Sequence, residues 1–342
     1  MLKKICVIFT GGTIGSDFSG NSVSLSGASR KMLIGKYRET AGDEITFDVL
    51  SPVNMLSENV QKSDLYAIYD CIKGVNFSDY DGIIVTHGTD TLCFTVNWLG
   101  LTLCDIPLPL VVVSALYPLT DGRSNGVKNF AGAVDFIEKS GLRGVYCAFA
   151  NDGENCKIHL ASRLVYPDEI NGFYHSALGA HLAETVGGKV IFNPSPYLPL
   201  KEEINALRLP PVKKELCYGV LLITMRSLLN FSLYDFSNVK PRAVIVELSH
   251  SGTVCTEGDE LNFKKFAAYC KRQGVPVIIA PVMSGAGVYA SMANLPDNVI
   301  ISYDATVEFT LVKVMAALGA SLPPDAYFNG DYAFEKIAFP QK

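Results

Sequence analysis

Two threonines stand where a hydroxyl could do chemistry. Residues 5–15 read ICVIFTGGTIG and residues 80–92 read YDGIIVTHGTDTL. In each, an apolar run of strand character ends in a glycine-containing loop that presents a threonine, Thr13 in the first and Thr89 in the second. The carboxyl ends of parallel strands are where open α/β sheets bind ligands, so two such junctions point to one small-molecule site built on threonine chemistry. A threonine hydroxyl is a weak nucleophile until a neighbouring base takes its proton. The second loop sets a carboxylate, Asp90, beside its threonine. His87 is a further candidate base, although a lone histidine at a strand end is more often a hydrogen-bonded structural residue. The loop reads as well as a helix start, because Thr and Asp are preferred N-caps and a helical run continues through Trp98 and Leu99. Capping and catalysis are compatible, since a cap residue is held in place yet faces a ligand.

The glycines of Gly11-Gly12-Thr13-Ile14-Gly15 permit a sharp turn and close backbone approach. Neither the G-x-G-x-x-G spacing nor a following G-K-[ST] is present, which weakens a nucleotide loop. The elements that must carry these loops are short apolar runs at 5–9, 82–86, 110–114 and 145–149, with helical patterns between them at 64–72 and 124–138. Such alternation predicts βαβ units and a mostly parallel sheet. Residues 193–214 (NPSPYLPLKEEINALRLPPVKK) turn Pro-rich and polar, as a linker does. Strands at 218–224, 243–248 and 275–280 and helices at 259–272 and 306–318 follow. The expected fold is α/β in two domains. Residues 1–192 form a mostly parallel sheet flanked by helices, 193–215 a linker, and 216–342 a smaller α/β domain.

Composition narrows the function. The chain of 342 residues is 49% hydrophobic and 18% charged, as an ordinary globular protein is. A net charge of −5 with no basic cluster longer than a pair argues against nucleic acid or an anionic membrane as partner. The apolar run after Lys4 is too short for a signal peptide, and no stretch is long enough to span a bilayer. Nine scattered cysteines without a C-x-x-C pair suit reduced thiols in the cytoplasm. The five histidines show no ligand spacing, so no metal is expected.

Gly11-Gly12-Thr13 and Thr89-Asp90 together resemble the two signature stretches of the asparaginase/glutaminase family. Residues 56–59 (LSEN) fall between them, where that family carries a serine followed by an acidic or amide residue. The resemblance covers most of the chain and implies a cytoplasmic, type I-like L-asparagine amidohydrolase. It implies that Thr13 attacks the side-chain amide, that ammonia leaves, and that water then releases aspartate from the acyl-enzyme. It implies a second catalytic cluster of Thr89, Asp90 and a lysine. It further implies that Ser57 binds the substrate's α-carboxylate while Glu58 and Asp90 bind its ammonium, as a zwitterion requires. L-Asparagine is the implied substrate, with L-glutamine next. No cofactor is implied, and the assembly is a homodimer or homotetramer in which one subunit's C-terminal domain closes another's site. Residues 121–125 (DGRSN) also look like a family loop, and equally like a turn into a helix.

Two positions depart from the family pattern. A tyrosine is usual in the loop after the nucleophile, but residues 16–30 contain none; Ser22 stands about where it is expected and Phe18 is the only aromatic. An ungapped reading puts Ala161 at the lysine. Lys157 and Arg163 flank it as stand-ins, although arginine stays protonated and cannot act as a base. Residues 249–253 (SHSGT) replace a G-x-G-N-like run. Two other functions therefore stay open. One is an amino-acid-binding or regulatory protein with weakened or lost catalysis. The other is an ammonia-supplying amidotransferase subunit, whose asparaginase-like members carry an S-E-x-M-like segment.

Overall fold

The computed structural model describes residues 3–338 except Thr13, Gly15, Gly20, Asn21, Ser26, Asp43 and 286–288, with backbone elements alone for 16–30 and Ala290. These residues divide into two compact units, 3–210 with 332–334 and 211–331 with 335–338. The cut falls between Pro210 and Pro211, inside the Pro-rich stretch.

The first unit opens with β1 (Lys3–Phe9), β2 (Ser16–Ser19), β3 (Ser22–Leu25), α1 (Gly27–Ala41) and β4 (Ile45–Leu50). Next come α2 (Lys62–Lys73), β5 (Gly82–Thr86), α3 (Leu92–Thr102), β6 (Pro109–Val113), α4 (Gly126–Lys139) and β7 (Gly144–Phe149). β8 (Cys156–Leu160), β9 (Ala183–Val186), β10 (Lys189–Phe192) and α5 (Lys201–Asn205) complete it. Eight of these strands make one sheet in the order β10-β9-β8-β7-β6-β5-β1-β4. From β7 to β4 all neighbours are parallel. The chain steps from β1 outward to β4, then resumes on the other side of β1 with β5. That reversal lies between β1 and β5, and the carboxyl ends of strands at such a reversal are where open α/β sheets bind ligands.

Strands β5 and β6 are buried along their whole length, and β1 from Ile5 onward. Burial on both faces is why they read as continuous apolar runs rather than as alternation. Helix α4 turns Phe130, Ala133, Val134 and Ile137 into the core with Val111 and Val113 of β6, the stripe expected of a one-sided helix. Helix α3 differs: all its residues but Phe94 are buried. Trp98 lies 6.4 Å from the Tyr66 ring and 6.1 Å from that of Tyr69. Two residues on, a Cβ on Gly100 would come within 2.7 Å of Ala161 Cβ.

The alternation stops at β7. Residues 150–155 are too few for a parallel crossover, which needs about a dozen, so β8 returns antiparallel with Phe149 opposite Lys157 and Tyr146 opposite Leu160. β9 and β10 extend the antiparallel edge. Gly187 and Gly188 turn that hairpin with φ of 53° and 75°, the conformation a two-residue hairpin loop demands.

The second unit holds β11 (Val220–Ile223), β12 (Ala243–Glu247), α6 (Phe263–Arg272), β13 (Val277–Val282), β14 (Val299–Tyr303) and α7 (Val307–Gly319). Its sheet is parallel throughout and runs in chain order, β11-β12-β13-β14. Phe263, Phe266, Ala267 and Cys270 of α6 pack with Val244 and Val246, while Val314 and Leu318 of α7 pack with Ala243, Ile245 and Ile278. The sequence places the start of α6 at 259. It begins at Phe263 because Asn262 caps it, its side-chain oxygen accepting from the Lys265 N–H at 3.1 Å. Among the described residues no helix is long and apolar enough to cross a membrane.

Candidate active site

β1 and β5 pair with Phe9 opposite Thr86, so the loops that follow leave the sheet side by side. Thr10 Oγ1 donates to the Thr86 carbonyl at 2.6 Å. A third segment joins them: the Met55 N–H donates to the Thr10 carbonyl at 2.9 Å, and the Gly12 N–H to the Met55 carbonyl at 3.1 Å. Gly11 and Gly12 have φ of 107° and 78°. A Cβ on Gly11 would lie 2.3 Å from the Met55 oxygen, and one on Gly12 2.3 Å from the Gly88 nitrogen. A Cβ on Gly88 would lie 2.4 Å from Ser57 Oγ. Real Cβ contacts do not come so close, so glycine at these positions is what lets three backbones converge.

Ser57 is buried at the junction, in the turn Ser57–Asn59. Its hydroxyl donates to Asp90 Oδ2 at 2.8 Å, and the Asp90 N–H points back to Ser57 Oγ at 3.3 Å. Thr91 Oγ1 donates to the Ser57 carbonyl at 2.9 Å. The N-cap of α3 is Thr91, not Thr89 or Asp90, and its hydroxyl serves the 57 segment instead of the helix. The pair Thr89–Asp90 is thereby freed from the capping role. Thr89 is half-buried, and Asp90 and Glu58 are exposed. Ser57, Asp90 and the Thr89 loop are thus brought together with Gly12. Thr13 lies outside the described residues, as do the side chains of Phe18 and Ser22.

His87 is structural. It is fully buried, its Nδ1 lies 2.8 Å from the Gly88 carbonyl, and its peptide is held by Val113 and Ser114 of the β6 end. Burial, opposed by the Gly88 hydrogen bond, pushes its pKa down to about 4. Its Nε2 is buried and meets no hydrogen-bond partner among the described residues, so no described threonine hydroxyl lies within its reach. Residues 121–125 form a turn: Arg123 pairs with Asp121, and Asn125 accepts from the Leu116 N–H and donates to the Ala150 carbonyl.

Lys157 sits on β8 opposite Phe149, at the carboxyl end of β7, and donates to Glu154 at 2.7 Å. Burial pushes the Glu154 carboxyl up, but hydrogen bonds from Lys157 and Asn151 outweigh it and hold the group below the usual range. Arg163 is buried and turned to the carbonyls of Phe334 and Tyr197. Ala161, the ungapped lysine position, lies against Gly100, about 13 Å along α3 from Thr91 at the usual rise per residue. These contacts of Lys157 and Arg163 are made with groups other than Thr89 and Asp90.

Tyr174 and Asn129 leave no mark in the sequence. The Tyr174 hydroxyl donates to the Thr89 carbonyl at 2.6 Å. Asn129 ties the β6 and β7 ends, donating to the Ser114 carbonyl and accepting from the Ala150 N–H. Both act across long sequence separations and carry no local signal.

Residues 4–197 match the family model described as Asparaginase, N-terminal. The chain is 28% identical over 327 residues to an L-asparaginase of Thermococcus kodakarensis, covering 92% of this chain and 93% of that protein. The solved structure of the thermostable L-asparaginase from Thermococcus kodakarensis superposes with a TM-score of 0.78 at 24% identity, over 98% of this chain and 100% of the other. A more local similarity, 33% identity over 140 residues, joins 38% of the chain to 33% of a subunit of the glutamyl-tRNA(Gln) amidotransferase from Thermoplasma acidophilum.

Proposed function

This chain belongs to the asparaginase family, and from that membership we propose that it is an L-asparagine amidohydrolase working through Thr13 and an acyl-enzyme. The observation that carries the reading is the convergence of Gly12, Ser57 and Gly88, with Ser57 and Asp90 joined in a reciprocal hydrogen bond. That convergence supports one site for the motif that ends in Thr13 and the motif that holds Thr89 and Asp90.

In the proposed reaction Thr13 Oγ adds to the side-chain amide carbon, its proton passes to the amide nitrogen, and the C–N bond breaks to release ammonia. Water then adds to the resulting ester, and aspartate leaves as the threonine regains its proton. Ser57 and Asp90 exchange partners when substrate arrives. Ser57 turns its proton to the α-carboxylate, and Asp90 takes the α-ammonium together with Glu58. One hydrogen bond is replaced by charge-assisted contacts, which favour a free zwitterion over an acylated or peptide-linked asparagine. L-Asparagine ranks above L-glutamine here only on the family's account, since one methylene is worth roughly 1–3 kcal/mol. The homo-oligomer and the cytoplasmic location belong to the same proposal. Light scattering at micromolar concentration tests the first, with a monomer counting against it.

Ammonia release from L-asparagine is the decisive assay. The wild type is expected to turn over and Thr13→Ala to lose nearly all activity. A wild type that binds asparagine without releasing ammonia would leave an amino-acid-binding protein. The local similarity to the amidotransferase favours one further reading, in which ammonia is delivered to a partner. Steady release from free asparagine by the chain alone rejects it.

A further inference from the structure

We infer that Tyr174 is a positioning residue for the reaction, holding Thr89 in place through its carbonyl; the inference rests on the amidohydrolase reading. Thr89 leaves β5 and enters α3 half-buried. Its carbonyl accepts two hydrogen bonds, from the Leu92 N–H at 3.1 Å and from the Tyr174 hydroxyl at 2.6 Å. The first belongs to the helix start. The second reaches across from the excursion between β8 and β9.

Tyr174 is itself held on three sides. Its N–H donates to Asn151 Oδ1 at 2.9 Å, and its carbonyl accepts from Asn151 Nδ2 at 3.0 Å. Its ring meets that of Phe149 edge-on, with centroids 4.7 Å apart. Asn151 stands just past the end of β7 and also donates to Glu154 at 3.0 Å, which takes Lys157 at 2.7 Å. The same excursion is tied to α3 nearby, where the Leu164 carbonyl accepts from Asn97 at 3.1 Å. Lys157 is thus joined to the Thr89 backbone through Glu154, Asn151 and Tyr174. The phenol is buried and its ring is locked before substrate binds, which makes it a rigid stop for the Thr89 peptide.

Tyr174→Phe removes the hydroxyl and keeps the ring against Phe149. Its kcat on L-asparagine is expected to fall between about tenfold and a hundredfold, the range for a slight misplacement of a reacting group. KM is expected to stay within about threefold and the shape of the pH profile to be unchanged, because the carboxylate of Asp90, whose N–H shares a peptide with the Thr89 carbonyl, keeps its own bond from the Ser57 hydroxyl. Tyr174→Leu, which removes ring and hydroxyl, should lower the unfolding midpoint, whereas Tyr174→Phe should leave it near that of the wild type. Equal kcat for Tyr174→Phe and wild type overturns the positioning role and leaves the amidohydrolase reading intact. A kcat loss that comes with a midpoint as low as that of Tyr174→Leu overturns it too, as mere packing. A wild type with no ammonia release removes the amidohydrolase reading and this inference with it.

Discussion

The loops after β1 and β5 in the first unit and the loop after β12 in the second use the same materials: glycine, hydroxyls and an imidazole at the end of a parallel strand. Their hydrogen bonds go to different places. In the first unit Ser57 bonds Asp90, Thr10 bonds Thr86 and Thr91 bonds Ser57, all across segments. In the second, the Ser249 N–H turns to the Thr253 carbonyl and Ser251 to Thr253, within one turn beside an open cavity of about 720 Å³. Strand order explains the contrast. The first sheet reverses direction at β1, so the loops after β1 and β5 leave it side by side and the Ser57 segment closes on both. The second sheet adds strands in chain order and has no reversal. Polar residues at strand ends make a site when topology makes the loops meet.

The largest test of this contrast is acid. Burial pushes the His87 pKa down to about 4 and that of His159 to about 3. Both lie below the ordinary histidine value near 6.5, so the unfolded chain takes protons first as the pH falls. Their contribution to stability is whole above about pH 6.5 and is lost on acidification toward pH 4, at about 1.4 kcal/mol per pH unit for each. The second unit holds only the exposed His250. Trp98, the single tryptophan, is buried in the first unit and reports its unfolding. Its fluorescence transition should precede loss of far-ultraviolet dichroism from the second unit below pH 6, and His87→Gln should narrow the gap. Coincident transitions would break the contrast.

Glycine substitutions sharpen it next. Gly12→Ala meets the Gly88 backbone at 2.3 Å, whereas Gly252→Ala, at φ 70°, meets nothing within 4 Å. The first should cost about 3 kcal/mol or more, left-handed strain added to a clash that backbone cannot relieve; the second should cost only the strain, about 1–2 kcal/mol. Urea midpoints compare them, and equal losses would deny that the three backbones are in contact.

Ser57→Ala is expected to raise KM for L-asparagine about tenfold to a hundredfold, the worth of a hydrogen bond to a charged group. Smallest of all is Ser251→Ala. Its hydroxyl pairs with Thr253 on an exposed turn, so stability should change by less than about 0.5 kcal/mol. A larger loss there would mean that the second unit's loop is not self-contained.

Much of the first unit is legible in the sequence. The runs at 5–9, 82–86 and 145–149 lie in β1, β5 and β7, and that at 110–114 overruns β6 by Ser114 alone, because strands buried on both faces must be continuously apolar. The stretch after β7 is not. An ungapped reading puts Ala161 at the family lysine, with Lys157 and Arg163 as its stand-ins. β8 instead folds back along β7, which carries Ala161 to the far end of α3 and leaves Lys157 with Glu154. The alternating residues around Gly187-Gly188 hold a hairpin signal that marks the antiparallel edge.

What the sequence determined by itself was the materials of the crevice: two threonine loops on parallel strands, a serine between them, and glycines where no side chain fits. Local patterns suffice for that, since burial and turn geometry leave their mark within a few residues. The tertiary structure alone decided the partners. The bond from Ser57 to Asp90 spans 33 residues and that from Tyr174 to Thr89 spans 85. Neither partner announces the other, because a hydrogen bond depends on where the sheet order and the returning β8 bring the chain, and no local propensity encodes that distance.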